Sequence, residues 1–233
     1  MDVTEEYKRE FGGKPECISR APGRVNLIGE HVDDNDGPVL PAAIDREVNI
    51  AAGINPNNQV WIFSLDLDEK VTFRLDRLEM KVDIDGNPLP TWALYPAGVA
   101  WALMEEGVEV KGLNACFTSN VPIGAGLSSS AAIEVGFGAT WQGLAGWDIP
   151  PLELAQICQR AENEYVGLSC GLMDQFASAC GVDGHALYFD TQSLEYQPAP
   201  LPEGVNIIIA DSGVRRSLTT SAYNERRASC EQA

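Results

Sequence analysis

Several common signals are missing from this 233-residue sequence, and each absence excludes a class of function. No apolar run approaches the roughly 18 residues that a membrane-spanning helix needs, so we expect no membrane partner. Sixteen basic residues stand against 34 acidic ones, a net charge of −18. No basic cluster is larger than the pairs Arg215-Arg216 and Arg226-Arg227, which argues against a nucleic-acid partner.

The sequence also has no metal-binding cysteine pattern and no export signal. Its six cysteines show no Cys-x-x-Cys spacing, and two histidines cannot complete a zinc site with them. The start of the chain, Met1–Lys8, is acidic and polar, unlike a secretory signal. These features predict reduced thiols and a cytoplasmic location.

Hydrophobic alternation and turn residues predict the order of the elements. Strands are expected at Val48–Ile54, Val60–Leu65, Val71–Leu75, Lys111–Ser119, Ala186–Phe189 and, as a buried strand, Val205–Ala210. Helices are expected at Trp92–Glu106, Ser129–Ala145, Pro151–Val166 and Leu172–Ala179. Strands followed by a block of helices favour an α+β fold. The prolines near residue 200 predict a boundary between a first domain, 1–200, and the incomplete beginning of a second, 201–233.

A glycine- and serine-rich turn, Pro122–Ser130, leads into an apolar helix. Glycines let the backbone approach an anion closely, and backbone N–H groups at a helix start bind phosphate. The turn lacks the Gly-Lys-Ser/Thr ending of a Walker A motif. Taken alone, it favours a flexible loop with serine helix caps over a phosphate site. The polar stretch Arg20–Asp33 places two arginines, two carboxylates and a histidine around tight turns, a set suited to a many-hydroxyl ligand.

Four motifs together resemble the GHMP kinases, and among them the galactokinases. The turn Pro122–Ser130, called the phosphate turn from here on, is similar to the second motif of that superfamily. Gly23–Gly37 (GRVNLIGEHVDDNDG) is similar to the galactokinase signature. Cys170–Phe176 (CGLMDQF) resembles the segment with the catalytic aspartate. Arg215–Tyr223 resembles a stretch with a sugar-contacting tyrosine. The resemblance implies a ribosomal-protein-S5-like N-terminal lobe followed by a truncated start of the C-terminal lobe.

The resemblance also implies roles for individual residues in transfer of the γ-phosphoryl group of ATP to the C1 hydroxyl of a hexose, galactose above all. Arg24 would stabilise charge beside the phosphoryl group, and Asp174 would act as base or orienting acceptor. On composition alone, Asp174 is a helix N-terminal residue and Arg24 a solvated cation. The sugar-binding set implied by the family is Glu30, His31, Asp33, Gly171 and Tyr223.

The same resemblance implies the positions for ATP and Mg²⁺. The magnesium ligands would be Ser130 and Glu162, since Mg²⁺ keeps several waters and needs few protein oxygens. On composition alone, Glu162 is a residue of a helix surface. The ATP-binding residues would be Gly124, Gly126, Ser128, Ser129, Ser130 and Trp92, the last near the adenine, although a lone helical tryptophan is otherwise typical of a core.

Two departures from the galactokinase pattern bear on substrate and activity. Val32 and Asp34 replace the usual threonine and tyrosine, which leaves the identity of the sugar substrate open. The added carboxylate of Asp34 would repel an anionic sugar such as galacturonate. The third motif, a glycine-rich loop of the C-terminal lobe, has no counterpart, so we expect this polypeptide alone, as a monomer, to be a poor kinase. Three alternatives remain: a non-catalytic sensor of galactose and ATP, a kinase for another sugar, or a mevalonate kinase.

Overall fold

The computed structural model describes residues 2–213. Its helices are α1 (Val3–Phe11), α2 (Thr91–Glu105), α3 (Ser129–Ala145), α4 (Pro151–Arg160), continued by a π-helical segment (Ala161–Val166), and α5 (Met173–Cys180). Its strands are β1 (Cys17–Asn26), β2 (Pro38–Val39), β3 (Pro41–Ile54), β4 (Gln59–Ser64), β5 (Glu69–Arg74), β6 (Leu113–Ser119), β7 (His185–Asp190) and β8 (Tyr196–Pro200). Short 3₁₀ turns lie at Asp33–Asn35 and Leu75–Met80.

The main sheet has five strands in the order β1-β3-β6-β4-β5. Neighbouring strands are antiparallel except β4 and β6, which are parallel. A second sheet, β2-β7-β8, is antiparallel throughout. Helices gather in the middle of the chain rather than alternating with strands, and this confirms the α+β prediction.

Alternate residues of β3 face opposite sides of the main sheet, as strand geometry requires. Ile50 and Ala52 lie in the large core together with Trp141 of α3. Ala51 lies on the other face, where it packs with Tyr7 of α1. The sheet is therefore covered on both faces, mainly by α3 on one and by α1 on the other.

Helix α3 has the bounds that its sequence predicts. It ends at Gly146, whose left-handed φ of +76° and N–H bond to the Gln142 carbonyl form a glycine C-cap. Both α3 and α5 pack against β1 and β3. This packing brings the start of α3, the start of α5 and strand β1 to one region of the molecule.

Several predicted elements differ from the structure. The buried strand at Val205–Ala210 is wrong: the segment has no strand, and Ile208 is 89% exposed, because no described strand pairs with it. The helix expected over Pro151–Val166 changes to π-helical hydrogen bonding at Ala161. The sequence analysis also missed α1, β1, β2 and β8. None of the helices in residues 2–213 is both long and apolar enough to span a bilayer.

Candidate active site

Strand β1 carries Arg24 to the phosphate turn. The register of β1 against β3 shifts between Pro22 and Arg24, a bulge on the edge strand of the main sheet. A Cβ on Gly23 would lie 2.6 Å from the carbonyl oxygen of Leu127, so only glycine allows this close approach. The Arg24 N–H donates to that same carbonyl at 3.2 Å. Backbone contact thus fixes β1 against the turn.

The guanidinium of Arg24 joins the phosphate turn to the start of α5. Its Nε and Nη2 lie 2.7 and 2.5 Å from Oδ1 of Asp174. Its Nη1 donates to the carbonyl of Gly126 at 2.6 Å. The other carboxylate oxygen of Asp174 accepts a hydrogen bond from Ser128 Oγ at 2.6 Å. Both oxygens of Asp174 are therefore held, and the two predicted catalytic residues are in direct contact.

Three residues of the phosphate turn have left-handed backbone conformations. Gly124 and Gly126 have φ values of +71° and +74°, and Ser128 also adopts a left-handed conformation at +57°. A Cβ at Gly126 would meet no atom within 4 Å, so the space over the turn is open. Ser128 is the N-cap residue of α3 but makes no side-chain capping bond. The positive end of the α3 dipole thus has no side-chain cap.

Ser130 and Glu162, the predicted metal ligands, also meet. Glu162 lies in the π-helical segment and is 6% exposed, and the Ser130 side chain lies near enough to its carboxylate to favour the charged form. Burial raises the pKa of Glu162 to about 7, and the Asp174 carboxylate nearby adds to the effect. Single-turn π segments are frequent at functional sites. Within residues 2–213, no group of three or more His, Cys, Asp or Glu side chains is arranged to hold a metal ion.

Two buried polar residues behind Glu162 were missed by the sequence analysis. Glu134 of α3 and Gln175 of α5 are both fully buried. The amide Nε2 of Gln175 donates to Oε2 of Glu134 at 2.9 Å and to Oε2 of Glu162 at 2.6 Å. Burial, together with the charge of Glu162, raises the pKa of Glu134 well above its ordinary value. One signal could have found this pair: Glu134 is the single charged residue of α3, whose other residues are mostly apolar.

The predicted sugar residues that the structure describes fall into two groups. Asp33 packs over Gly171, where an added Cβ would lie 2.3 Å from its carboxylate oxygen. Both line a cavity of about 320 Å³ whose remaining walls are mostly amides and hydroxyls. Glu30 and His31 do not line this cavity; both are exposed, and His31 has a left-handed φ of +60°. Tyr223 lies outside the described residues.

Trp92 occupies the first turn of α2, away from the contacts described above. Its indole Nε1 donates to Glu69 at 2.6 Å, and its ring packs against Phe117, with centroids 5.7 Å apart. The ring is half-buried against the main core. These contacts explain its position by packing, and a role near the adenine stays a prediction.

Two family models match the chain in the order that the motifs predict. The model described as the galactokinase galactose-binding signature matches residues 5–54, which contain Arg24 and the first polar stretch. The model of the GHMP kinases N terminal domain matches residues 95–182, which contain the phosphate turn, Glu162 and Asp174.

Curated galactokinases are similar over nearly the whole chain. The galactokinase of Chloroflexus aggregans is 44% identical over 97% of this chain and 57% of its own length. That of a Roseiflexus species is 42% identical over 100% and 58%, and that of Streptomyces coelicolor is 41% identical over 99% and 59%. The chain thus spans slightly less than three fifths of the length of these relatives.

Two solved structures superpose on the fold. The galactokinase of Lactococcus lactis complexed with galactose gives a TM-score of 0.83 at 33% identity, over 97% of this chain and 58% of that one. The mevalonate kinase of Methanococcus jannaschii gives 0.62 at 20% identity, over 79% and 56%, a likeness of fold alone. The comparisons confirm the predicted resemblance and the predicted N-terminal lobe.

Proposed function

We propose that this chain, which belongs to the GHMP kinase superfamily and corresponds to the N-terminal portion of its galactokinases, serves an ATP-dependent sugar kinase. The reaction transfers the γ-phosphoryl group of ATP to the C1 hydroxyl of a hexose, and we infer that the hexose is galactose. One observation carries the proposal: Arg24, Asp174 and the phosphate turn come from three distant parts of the chain and hydrogen-bond to one another.

In this proposal Asp174 and Arg24 act on the reacting atoms. Asp174 accepts the proton of the C1 hydroxyl, or orients that hydroxyl. Meanwhile the oxygen of the C1 hydroxyl forms a bond to the γ-phosphorus. The bond between that phosphorus and the oxygen of the departing ADP breaks. Arg24 stabilises negative charge on the transferring group. Because Ser128 and Arg24 already hold both carboxylate oxygens, Asp174 is oriented before substrate arrives.

The open phosphate turn supports ATP as the phosphoryl donor. Left-handed glycines and an open approach at Gly126 allow a phosphate to reach the backbone N–H groups. The start of α3 adds the positive end of a helix dipole. These local donors would offset the general repulsion from a chain of net charge −18. We assign Gly124, Gly126, Ser128, Ser129 and Ser130 to the triphosphate and Trp92 to the adenine.

The donor set of Ser130 and Glu162 fits Mg²⁺. A hydroxyl and a carboxylate are the hard oxygen ligands that this ion takes, with waters completing its shell. Glu162, buried and with its pKa raised to about 7, would gain from a bound cation that favours its charged form. When bound with ATP, the ion would neutralise charge on the β- and γ-phosphates.

For the sugar we propose Glu30, His31, Asp33 and the backbone at Gly171, with Tyr223 completing the set. Carboxylates accept from sugar hydroxyls, and an imidazole either donates or accepts. The position of Asp33 and Gly171 at a polar cavity next to α5 supports this assignment. The signature match over residues 5–54 supports galactose in particular.

We also propose a domain boundary near residue 200. Residues 1–200 would form the sugar- and phosphate-binding domain, and residues 201–233 would begin the second lobe. The last described strand ends at Pro200, and residues 201–213 contain no helix or strand.

The five described cysteines are free, which supports a cytoplasmic location.

The proposed function is tested by ADP release from MgATP in the whole protein that contains this chain. We expect release that depends on galactose and exceeds release with glucose or mevalonate. Binding of galactose and ATP without ADP release would overturn the proposal in favour of a sensor. Release that depends on mevalonate instead would assign the chain to another GHMP reaction.

A further inference from the structure

The two carboxyl groups behind the phosphate turn share a single donor. Gln175 follows Asp174 in the first turn of α5, and neighbouring helix residues point about 100° apart. Asp174 therefore meets Arg24 and Ser128, while Gln175 enters the core between α3 and the π-helical segment. There its Nε2 contacts Glu134 and Glu162 at once.

This arrangement sets the orientation of the amide. Both hydrogens of the Gln175 amide nitrogen are used on carboxylate oxygens. With Glu162 ionised to hold a cation, the flipped amide would place its carbonyl oxygen against that carboxylate, which would repel it. In the described structure, Oε1 of Gln175 and Oε1 of Glu134 are buried without a hydrogen-bond partner. The contacts of this pair with Glu162 therefore depend on the amide nitrogen alone.

We propose that Gln175, anchored by Glu134, is a positioning residue that holds the Glu162 carboxylate toward Ser130 for a divalent cation. The inference rests on the proposed function, because it takes Glu162 as a metal ligand. The side chain of Glu134 bonds to Gln175, and that of Gln175 bonds to Glu162. The Cys170 thiol, which lines the cavity beside Gly171, lies 3.8 Å from Nε2 of Gln175 and itself donates to Glu162 at 3.2 Å. We therefore assign the effect of Glu134 and Gln175 on a cation to their hold on Glu162. Partners that orient metal ligands in this way contribute about 10- to 100-fold to metal affinity.

The test measures Mn²⁺ affinity by electron paramagnetic resonance, with a non-hydrolysable ATP analogue, in the whole protein that contains this chain. Gln175→Met removes the amide and keeps the length of the side chain. We expect it to weaken Mn²⁺ binding about 10- to 100-fold. Gln142→Met is the matched control: Gln142 lies in α3, accepts from the Ile149 N–H at 3.1 Å and does not contact Glu162. This control should leave the affinity for Mn²⁺ unchanged.

A second pair of variants covers the case in which Gln175→Met does not fold. Glu134→Gln keeps an acceptor for the Gln175 amide, whereas Glu134→Leu removes it. We expect Glu134→Leu to weaken Mn²⁺ binding about tenfold and Glu134→Gln to restore most of that loss. Equal affinities in these two variants, or unchanged affinity in folded Gln175→Met, would overturn the inference.

Glu162→Gln separates this inference from the proposed function. If Glu162→Gln weakens Mn²⁺ binding and Gln175→Met does not, only the positioning role fails. If Glu162→Gln itself leaves Mn²⁺ binding unchanged, the proposed metal site fails as well.

Discussion

Arg24 and Asp174 lie 150 positions apart in the chain, yet the Nε of Arg24 is 2.7 Å from an Asp174 carboxylate oxygen. The pair joins edge strand β1 to the first turn of α5. Arg24 also donates a hydrogen bond to the Gly126 carbonyl, and Asp174 accepts one from Ser128, so both residues of the pair are bonded to the phosphate turn. A cation and a carboxylate fixed beside an open, glycine-rich turn are the elements that the proposed phosphoryl transfer to a hydroxyl would use.

Asp174→Asn should lower kcat at least about 100-fold and leave ATP affinity nearly unchanged, because the amide cannot take a proton from the sugar hydroxyl. Steady-state kinetics and calorimetric ATP binding measure the two effects. The matched control is Asp76→Asn. Asp76 forms an ion pair with Arg74 on the surface, and this variant removes the carboxylate of that pair. An unchanged kcat in Asp174→Asn would remove this residue from the mechanism.

Gly126→Ala should weaken ATP binding, and the loss of affinity should exceed the loss that the lower folding stability of the variant alone would cause. Alanine at a left-handed φ of +74° costs roughly 1–2 kcal/mol, and its methyl group would stand in the open space over the turn. Gly146→Ala is the control: Gly146 has nearly the same φ, +76°, and equally open space, but lies at the far end of α3. Equal ATP affinities in the two variants would contradict a phosphate role for the turn.

The raised pKa of Glu162 predicts a pH dependence of stability in the absence of metal. The folded chain holds this proton up to about pH 7, whereas the unfolded chain releases it near pH 4.5. The free energy of unfolding should therefore fall as pH rises between these values, by up to about 1.4 kcal/mol per pH unit from this group. Glu162→Gln should remove that part of the decline in urea unfolding curves. If the free energy of unfolding changes with pH in the same way in the unaltered protein and in Glu162→Gln, the Glu162 carboxyl is ionised across this pH range in the folded chain, which would contradict the prediction.

Asp34 should discriminate against anionic sugars. We expect galacturonate to be turned over more slowly than galactose and Asp34→Asn to narrow the difference, since it removes a like charge. Asp45→Asn, the same change at an exposed position of β3, serves as the control. Faster turnover of galacturonate than of galactose by the unaltered protein would rule this out.

The main elements of the site could be predicted because their residues lie in short, compositionally distinct motifs. The glycines and serines before α3 and the bounds of that helix follow from local rules of turns and caps. Strand β1 was missed because Pro22 and Gly23 are typical of turns. The bulge of an edge strand accommodates both, and this depends on its neighbour β3.

The parts that could not be predicted depend on contacts between distant elements. The change to π-helical bonding at Ala161 is a shift of backbone register that composition does not encode. The contact of Gln175 with Glu134 and Glu162 arises only when α3, α5 and the π-helical segment pack together. The Val205–Ala210 segment has the composition of a strand, but within the described residues it has no strand to pair with.

The most direct test of the account is phosphorus NMR of the product formed by the whole protein that contains this chain, with MgATP and galactose. The account predicts a sugar phosphate esterified at C1, formed together with ADP and lost in the Asp174→Asn variant. Phosphate on any other hydroxyl, or no sugar phosphate at all despite binding of both substrates, would contradict it.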